Sequence, residues 1–324
     1  MKKLVFAIVI ILTTFSIATV YGNVKTSDAS NFMAPDQVVR QPKVGKNLLL
    51  IDKTILAHFF KKYPLLKYYQ PEVNILYKKR NYAWIWFDKE GLIEFSQALY
   101  SKVNSIEEEG IDCVLPYKDE INAIFDRESK IKLSKADTEL FLSSMYVYYA
   151  QKVYQGIDNE KTTEMGWFIP RKNLSYTNLL DSLLVDASLL NKNANHLLGQ
   201  YYKLREKLKE YRQIEKNGGW DSIQMEPSRR EYKPDDTSKV IGQIRKRLAI
   251  SGDLKQDSKN NCYDEELMAG VLDYKKRNGF KLNYYIEPEH LENMNISVEE
   301  RIKTIMINME RCRWIDPELT KADA

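Results

Sequence analysis

Leu140-Phe-Leu-Ser-Ser-Met-Tyr-Val-Tyr-Tyr-Ala-Gln-Lys-Val-Tyr154 decides the class of this fold. The stretch is apolar on nearly every side of a helical wheel, and a helix without a polar face is stable only inside a domain. Other helices must therefore surround it. Upstream, Phe95, Leu99, Val103 and Ile106 recur at helical spacing until Gly110, a residue suited to ending a helix. Downstream, Tyr201, Leu204, Leu208, Tyr211 and Ile214 make one apolar stripe with Lys, Arg and Glu dense opposite, as far as Gly218-Gly219. Two aromatic pieces fall between these helices, Tyr82-Ala-Trp-Ile-Trp-Phe87 and Gly166-Trp-Phe-Ile-Pro170. Their brevity and bulk predict packed loops or one short strand, with the tryptophans in the core rather than forming a ligand platform. The predicted class is mainly α.

Further on, residues 226–237 are polar and hold two prolines, as a domain junction does. A small helical unit follows. Val240, Ile241, Ile244 and Leu248 mark a helix ending at Gly252, and Met268, Val271, Leu272 and Tyr274 mark a second ending at Gly279. Residues 288–294 begin a third. Ser297-Val-Glu-Glu300 is then a capping box, in which the Ser and the acid three residues later satisfy free N–H groups. It opens a helix with Ile302, Ile305, Met306 and Met309 on one face.

At the other end, Lys2 and Lys3 precede an uncharged apolar run from Leu4 to Val20 that closes on Val20-Tyr21-Gly22. That three-part form is a secretory signal, so residues 1–22 are expected to direct export, and the run, shorter than a typical membrane span, favours cleavage near Gly22 over retention as an uncleaved anchor. Residues 23–45 mix Ser, Asp, Lys and Pro with few apolar residues, as a flexible tether does. The net charge is only +4, with both signs interleaved, and no basic stripe points to nucleic acid. Three cysteines, Cys113, Cys262 and Cys312, are too sparse for a disulfide framework and lack Cys-x-x-Cys spacing. The three histidines, His58, His196 and His290, form no His-Glu-x-x-His set, so neither a metal nor any other cofactor is expected.

Tyr211-Arg-Gln-Ile-Glu-Lys-Asn-Gly-Gly-Trp220, then Ile244-Arg-Lys-Arg-Leu-Ala-Ile-Ser-Gly-Asp-Leu254 with Tyr263-Asp-Glu-Glu-Leu267, then Arg301-Ile-Lys-Thr-Ile-Met-Ile-Asn-Met-Glu-Arg-Cys-Arg-Trp314 form an ordered series. It resembles the large periplasmic peptidoglycan L,D-transpeptidases: the close of their scaffold domain, their peptidoglycan-binding-like module, and the helix leading into their catalytic domain. The resemblance implies a helical scaffold over 46–236, a small three-helix module over 237–296, and a leader helix over 297–324 toward a catalytic domain absent from this sequence. It also implies a periplasmic, cell-envelope location. Two places depart from the resembled pattern: Tyr274-Lys275 stands where Phe-Gln is usual, and Asn283-Tyr284 where an Asp-Gly turn is usual. In the leader helix Cys312 replaces a Trp.

Such enzymes use a Cys nucleophile in Ser-His-Gly-Cys-x-Arg, where the His raises the thiolate fraction and backbone amides hold the oxyanion. They form a thioester with a tetrapeptide stem, release its terminal D-alanine, and pass the acyl group to a diaminopimelate amine. No such string occurs here. Cys312 lies between Arg311 and Arg313, which favour a thiolate, with His290 upstream. Its place inside an amphipathic helix instead predicts a packed, inert thiol. No catalytic residue is expected, and the chain is expected to act as a non-catalytic scaffold or substrate-presenting part in wall remodelling. The alternative is a stand-alone periplasmic peptidoglycan-binding or interaction protein.

Arg245, Tyr263, Asp264, Tyr274 and Lys275 are the candidate surface for glycan or peptide on the small module. Ile302, Ile305, Met306, Met309 and Trp314 are the candidate docking face for a separately encoded L,D-transpeptidase catalytic domain, because the leader helix would otherwise lack its cover.

Overall fold

The computed structural model describes residues 50–169, 171–190 and 196–320. The expected signal over 1–22 and tether over 23–45 lie outside them. The described chain is mainly α, as its periodicity predicts, and among the described residues backbone pairing outside helices is confined to isolated bridges such as Leu50 with Ala83 and Phe87 with Leu92. No helix among the described residues is long and apolar enough to cross a membrane.

The chain divides into two units. The larger contains α1 (Lys53–Lys62), α2 (Gln70–Lys79), α3 (Glu94–Asn104), α4 (Lys118–Phe125), α5 (Lys135–Ala150), α6 (Asn159–Glu164), α7 (Tyr176–Val185) and α8 (Gly199–Lys216). Its centre is α5. Ser134 caps that helix by accepting from the Asp137 N–H at 3.0 Å, and every residue from Leu140 to Ala150 is buried. A single π turn, Gln151–Gln155, extends it and stops at Gly156.

Burying α5 on all sides also buries Glu139, which is fully enclosed. Its carboxyl accepts from the Ile85 and Trp86 backbone N–H groups at 2.6 and 3.1 Å and from the Tyr77 hydroxyl at 2.7 Å. Ser143, one turn on, accepts the Trp86 indole N–H at 2.8 Å. The aromatic piece around Trp84 and Trp86 is thus a packed loop clamped onto α5, with Trp86 in the core. Desolvation raises the Glu139 pKa to about 7, against the opposing pull of its three donors.

The smaller unit is Ser222–Met294, with α9 (Lys239–Ile250), α10 (Glu265–Asn278) and α11 (Pro288–Met294) around its own core of Ile241, Ile244, Leu248, Leu267, Val271 and Leu291. Its beginning corrects the boundary expected at 236. The polar, proline-bearing stretch is packed structure rather than a linker: Ile223 and Tyr232 are buried in this core, and Tyr232 and Ile286 exchange backbone hydrogen bonds of 2.9 and 2.8 Å. Arg229 pairs with Glu226 and Asp236 across the turn between them.

From Asn295 the chain is back in the larger unit, where α12 (Val298–Trp314) packs along α8. Ser297 caps it through the Glu300 N–H at 3.2 Å, as the capping box predicts. The two helices are antiparallel: Gly219, after α8, lies against Val298 at the start of α12, while Tyr201 near the start of α8 meets Arg313 near the end of α12. The segment expected to lead away from the scaffold is therefore built into it.

Candidate functional site

The apolar face of α12 is not an open docking surface. Ile302, Met309 and Trp314 are buried, and Ile305 and Met306 pack against the same core. The sequence shows that this face needs a cover, and α8 provides it. The far end of the helix is fixed by polar contacts. Fully buried Arg313 donates to the Val153 carbonyl at 3.1 Å, to the Glu109 carbonyl at 2.5 Å and to Glu310 Oε2 at 2.9 Å. Glu310 Oε1 accepts from the Ile157 N–H at 2.7 Å and the Trp314 indole N–H at 2.8 Å. Gly156 has φ +76°, and a Cβ there would fall 2.1 Å from Glu310 Oε1, so the approach of α12 requires glycine. Trp167 meets the Trp314 ring edge to face at 5.0 Å, in keeping with a packing role.

Cys312 is a buried thiol in this interface, and desolvation raises its pKa while the neighbouring Arg313 opposes. The burial is what the helix position predicts. Elsewhere in the larger unit a pocket of about 180 Å³ lies between α3, α4 and α5, its apolar lining of Val103, Ile106, Ile111, Leu115 and Ile121 joined by polar groups such as Asn104 and Lys118. At its wall the Tyr148 hydroxyl donates to the Cys113 carbonyl at 2.7 Å and is 3.3 Å from the Cys113 thiol.

In the smaller unit four of the five side chains expected at a ligand surface, Arg245, Tyr263, Tyr274 and Lys275, are buried. Arg245 donates to Asp264 at 2.6 Å, Glu266 at 2.8 Å and the Asn260 and Cys262 carbonyls at 3.2 and 3.0 Å, pinning the α9–α10 connection. Asp264 also caps α10 by accepting the Leu267 N–H at 3.0 Å. The group is internal scaffolding, not a surface, because each polar end finds its partner inside the unit. In sequence an Arg or Lys on a helix reads as solvated, and nothing short of the fold shows otherwise.

What this scaffolding holds is the loop between α10 and α11. Lys275 Nζ donates to Asn283 Oδ1 and to the Tyr285 carbonyl, both at 2.5 Å. The Tyr263 hydroxyl donates to the Tyr284 carbonyl at 2.7 Å, and Asn283 Oδ1 accepts the Tyr285 N–H at 3.1 Å. Below the loop the Tyr274 hydroxyl donates to Asn293 Oδ1 at 2.7 Å and to the His290 carbonyl at 3.2 Å. The two departures from the resembled pattern, Tyr274-Lys275 and Asn283-Tyr284, are therefore one hydrogen-bonded assembly. Asn283 and Tyr284 keep negative φ, so no left-handed turn is required where the resembled pattern has Asp-Gly. The loop's own apolar side chains point outward: Leu282 is 59% exposed, Tyr284 40% and Tyr285 44%. The adjacent Tyr pair in a polar stretch is the one sequence signal that marks them.

His290 sits under the same loop with Glu287 and Glu289, and the three offer atoms within 4.8 Å of one another. His290 Nδ1 already accepts the Glu287 N–H at 2.9 Å, and burial followed by nearby Lys275 lowers its pKa. Its ring packs edge to face on Phe280 at 4.7 Å, so the imidazole serves as an internal cap.

Residues 71–208 match a family model described as a scaffold domain. The match begins at the second residue of α2, ends within α8, and leaves the smaller unit and α12 outside it. No curated protein matches the chain.

Proposed function

We propose that this protein is the exported scaffold and accessory module of a peptidoglycan L,D-transpeptidase, serving wall remodelling without performing the transfer itself. The observation that carries the reading is the scaffold-domain match over 71–208, which spans the helices enclosing α5. The ordered resemblances on either side of the smaller unit support it, since the segment like the scaffold's close and the segment like the leader helix are α8 and α12, packed together. In this reading α12 positions a catalytic domain by presenting a rigid end, held by Arg313 and Glu310, rather than by offering its apolar face. The burial of the Cys312 thiol supports a role without chemistry at that residue.

Incubating the purified protein with disaccharide-tetrapeptide tests this. The expected result is no 3–3 cross-linked dimer and no released D-alanine from this chain alone, with transfer restored in a complex whose partner carries Ser-His-Gly-Cys-x-Arg. Cross-linking by the chain itself overturns the non-catalytic assignment. Failure to associate with any polypeptide bearing that motif, while wall fragments still bind, favours the second reading, a stand-alone wall-binding protein. The outward tyrosines of the smaller unit are the specific feature that recommends it.

A further inference from the structure

We propose that the pocket between α3, α4 and α5 of the larger unit is a binding site for a small apolar α-amino acid, which enters side chain first and is held at the mouth by its ammonium and carboxylate. The inference stands independently of any role in the cell wall.

The first ground is shape. Protein interiors are packed about as densely as organic crystals, yet a space of about 180 Å³ stands here over a floor of Ile106, Ile111, Leu115, Ile121 and Tyr148, all of them buried. For scale, an apolar cavity of about 150 Å³ accepts benzene. One aromatic ring or one branched aliphatic chain therefore fits. The walls are fixed in advance. The Tyr148 hydroxyl donates to the Cys113 carbonyl at 2.7 Å and ties the segment from Ile111 to Leu115 onto α5. Between the other two helices, Tyr100 of α3 stacks on Phe125 of α4 with ring centroids 4.1 Å apart, and its hydroxyl donates to Asn122 Oδ1 at 2.9 Å. A site braced in this way spends little binding energy on ordering itself.

The second ground is charge of both signs around an apolar floor. Glu107, Asp112 and Lys118 are the charged residues that line the pocket, and all three are exposed. Asp112 faces the Arg212 guanidinium at 3.7 Å, and Arg212 also donates to the Glu107 carbonyl, so that cation is committed to the rim. Among the described residues neither the Lys118 ammonium nor the Glu107 carboxylate has an ion-pair partner. One is left for a ligand carboxylate and the other for a ligand ammonium. Asn122 accepts from Tyr100 through its carboxamide oxygen, which leaves its N–H donors for the same ligand. An apolar body bearing an ammonium and a carboxylate on one carbon satisfies all of these groups, whereas a hydrocarbon matches only the floor, and an acid or an amine matches only half of the mouth.

Cys113, half-buried in the wall of the pocket, reports on its occupancy, and exposed Cys262 of the smaller unit is an internal control. The full protein is alkylated with iodoacetamide, with and without racemic phenylalanine, and modification at each cysteine is followed by peptide mass spectrometry. Phenylalanine at about 10 mM is expected to slow alkylation of Cys113 about threefold or more and to leave Cys262 unchanged, with calorimetry giving a Kd in the low millimolar range or tighter. Phenylalanine amide, which lacks the carboxylate, and N-acetylphenylalanine, which lacks the ammonium, are expected to bind about tenfold more weakly. The same loss is expected for phenylalanine with the Lys118→Met and Glu107→Gln variants, both at exposed positions. Equal binding of the amide and the N-acetyl compound to that of phenylalanine, or undiminished binding in both variants, overturns the amino-acid assignment. Undiminished alkylation of Cys113, or no heat of binding at the same concentration where Cys113 reacts too slowly to follow, overturns the site itself.

Discussion

Glu139 shows how much a single residue can be asked to do in a helix that is buried all round. Its carboxyl organises the Trp84–Trp86 loop, but a charge there is desolvated, and its pKa rises from the ordinary 4.5 to about 7. The neutral form is thus the one the fold prefers. The contribution to stability is complete below about pH 4.5 and is lost as pH rises through about 7, a swing of up to about 3 kcal/mol. Glu139→Gln removes this titration and keeps one oxygen to accept from the loop. Urea unfolding of both proteins at pH 5 and pH 8 is therefore expected to show native stability falling relative to the variant as pH rises. Parallel profiles would mean that the carboxyl is charged in the fold across this range.

At the scale of elements, the α8–α12 pair is held at one end by a glycine and a valine in contact and at the other by Arg313. Removing that guanidinium leaves the carbonyls of Glu109 and Val153 without a buried donor and Glu310 without its cation. Arg313→Met keeps most of the side-chain volume, so its cost isolates the polar contacts. Breaking a buried pair from one side is expected to cost about 3–5 kcal/mol, measured as a lower midpoint in thermal or urea unfolding of the larger unit. A loss below about 1 kcal/mol would assign the anchoring of α12 to its apolar face alone. This contrast also marks what the sequence makes legible. The helices, their caps and the buried character of α5 follow from periodicity, from Ser134, Asp264 and Ser297, and from glycines at the right places. The anchors do not, because Arg245, Lys275 and Arg313 carry the same letters as solvated residues, and only the fold decides which charged ends turn inward. Sequence reading placed Arg245, Tyr263, Tyr274 and Lys275 at a surface for that reason, whereas the fold buries all four.

At the scale of the molecule, the smaller unit is an insertion in the connection between α8 and α12 of the larger. The chain leaves and returns at adjoining points, since the Trp220 indole N–H donates to the Ile296 carbonyl at 3.2 Å and Gly219 touches Val298. An insertion whose ends are held together by its host places little strain on it, and shortening the connection lowers rather than raises the entropy of closing it. Joining Asp221 to Asn295 through two glycines is therefore expected to leave the larger unit folded, with its core of α5 and its α8–α12 pair intact. Calorimetry should show one cooperative transition for the shortened protein, displaced by less than about 4 °C, the shift that corresponds to about 1 kcal/mol in a unit of this size. A much larger displacement, or loss of cooperativity, would instead make the smaller unit part of what folds the scaffold.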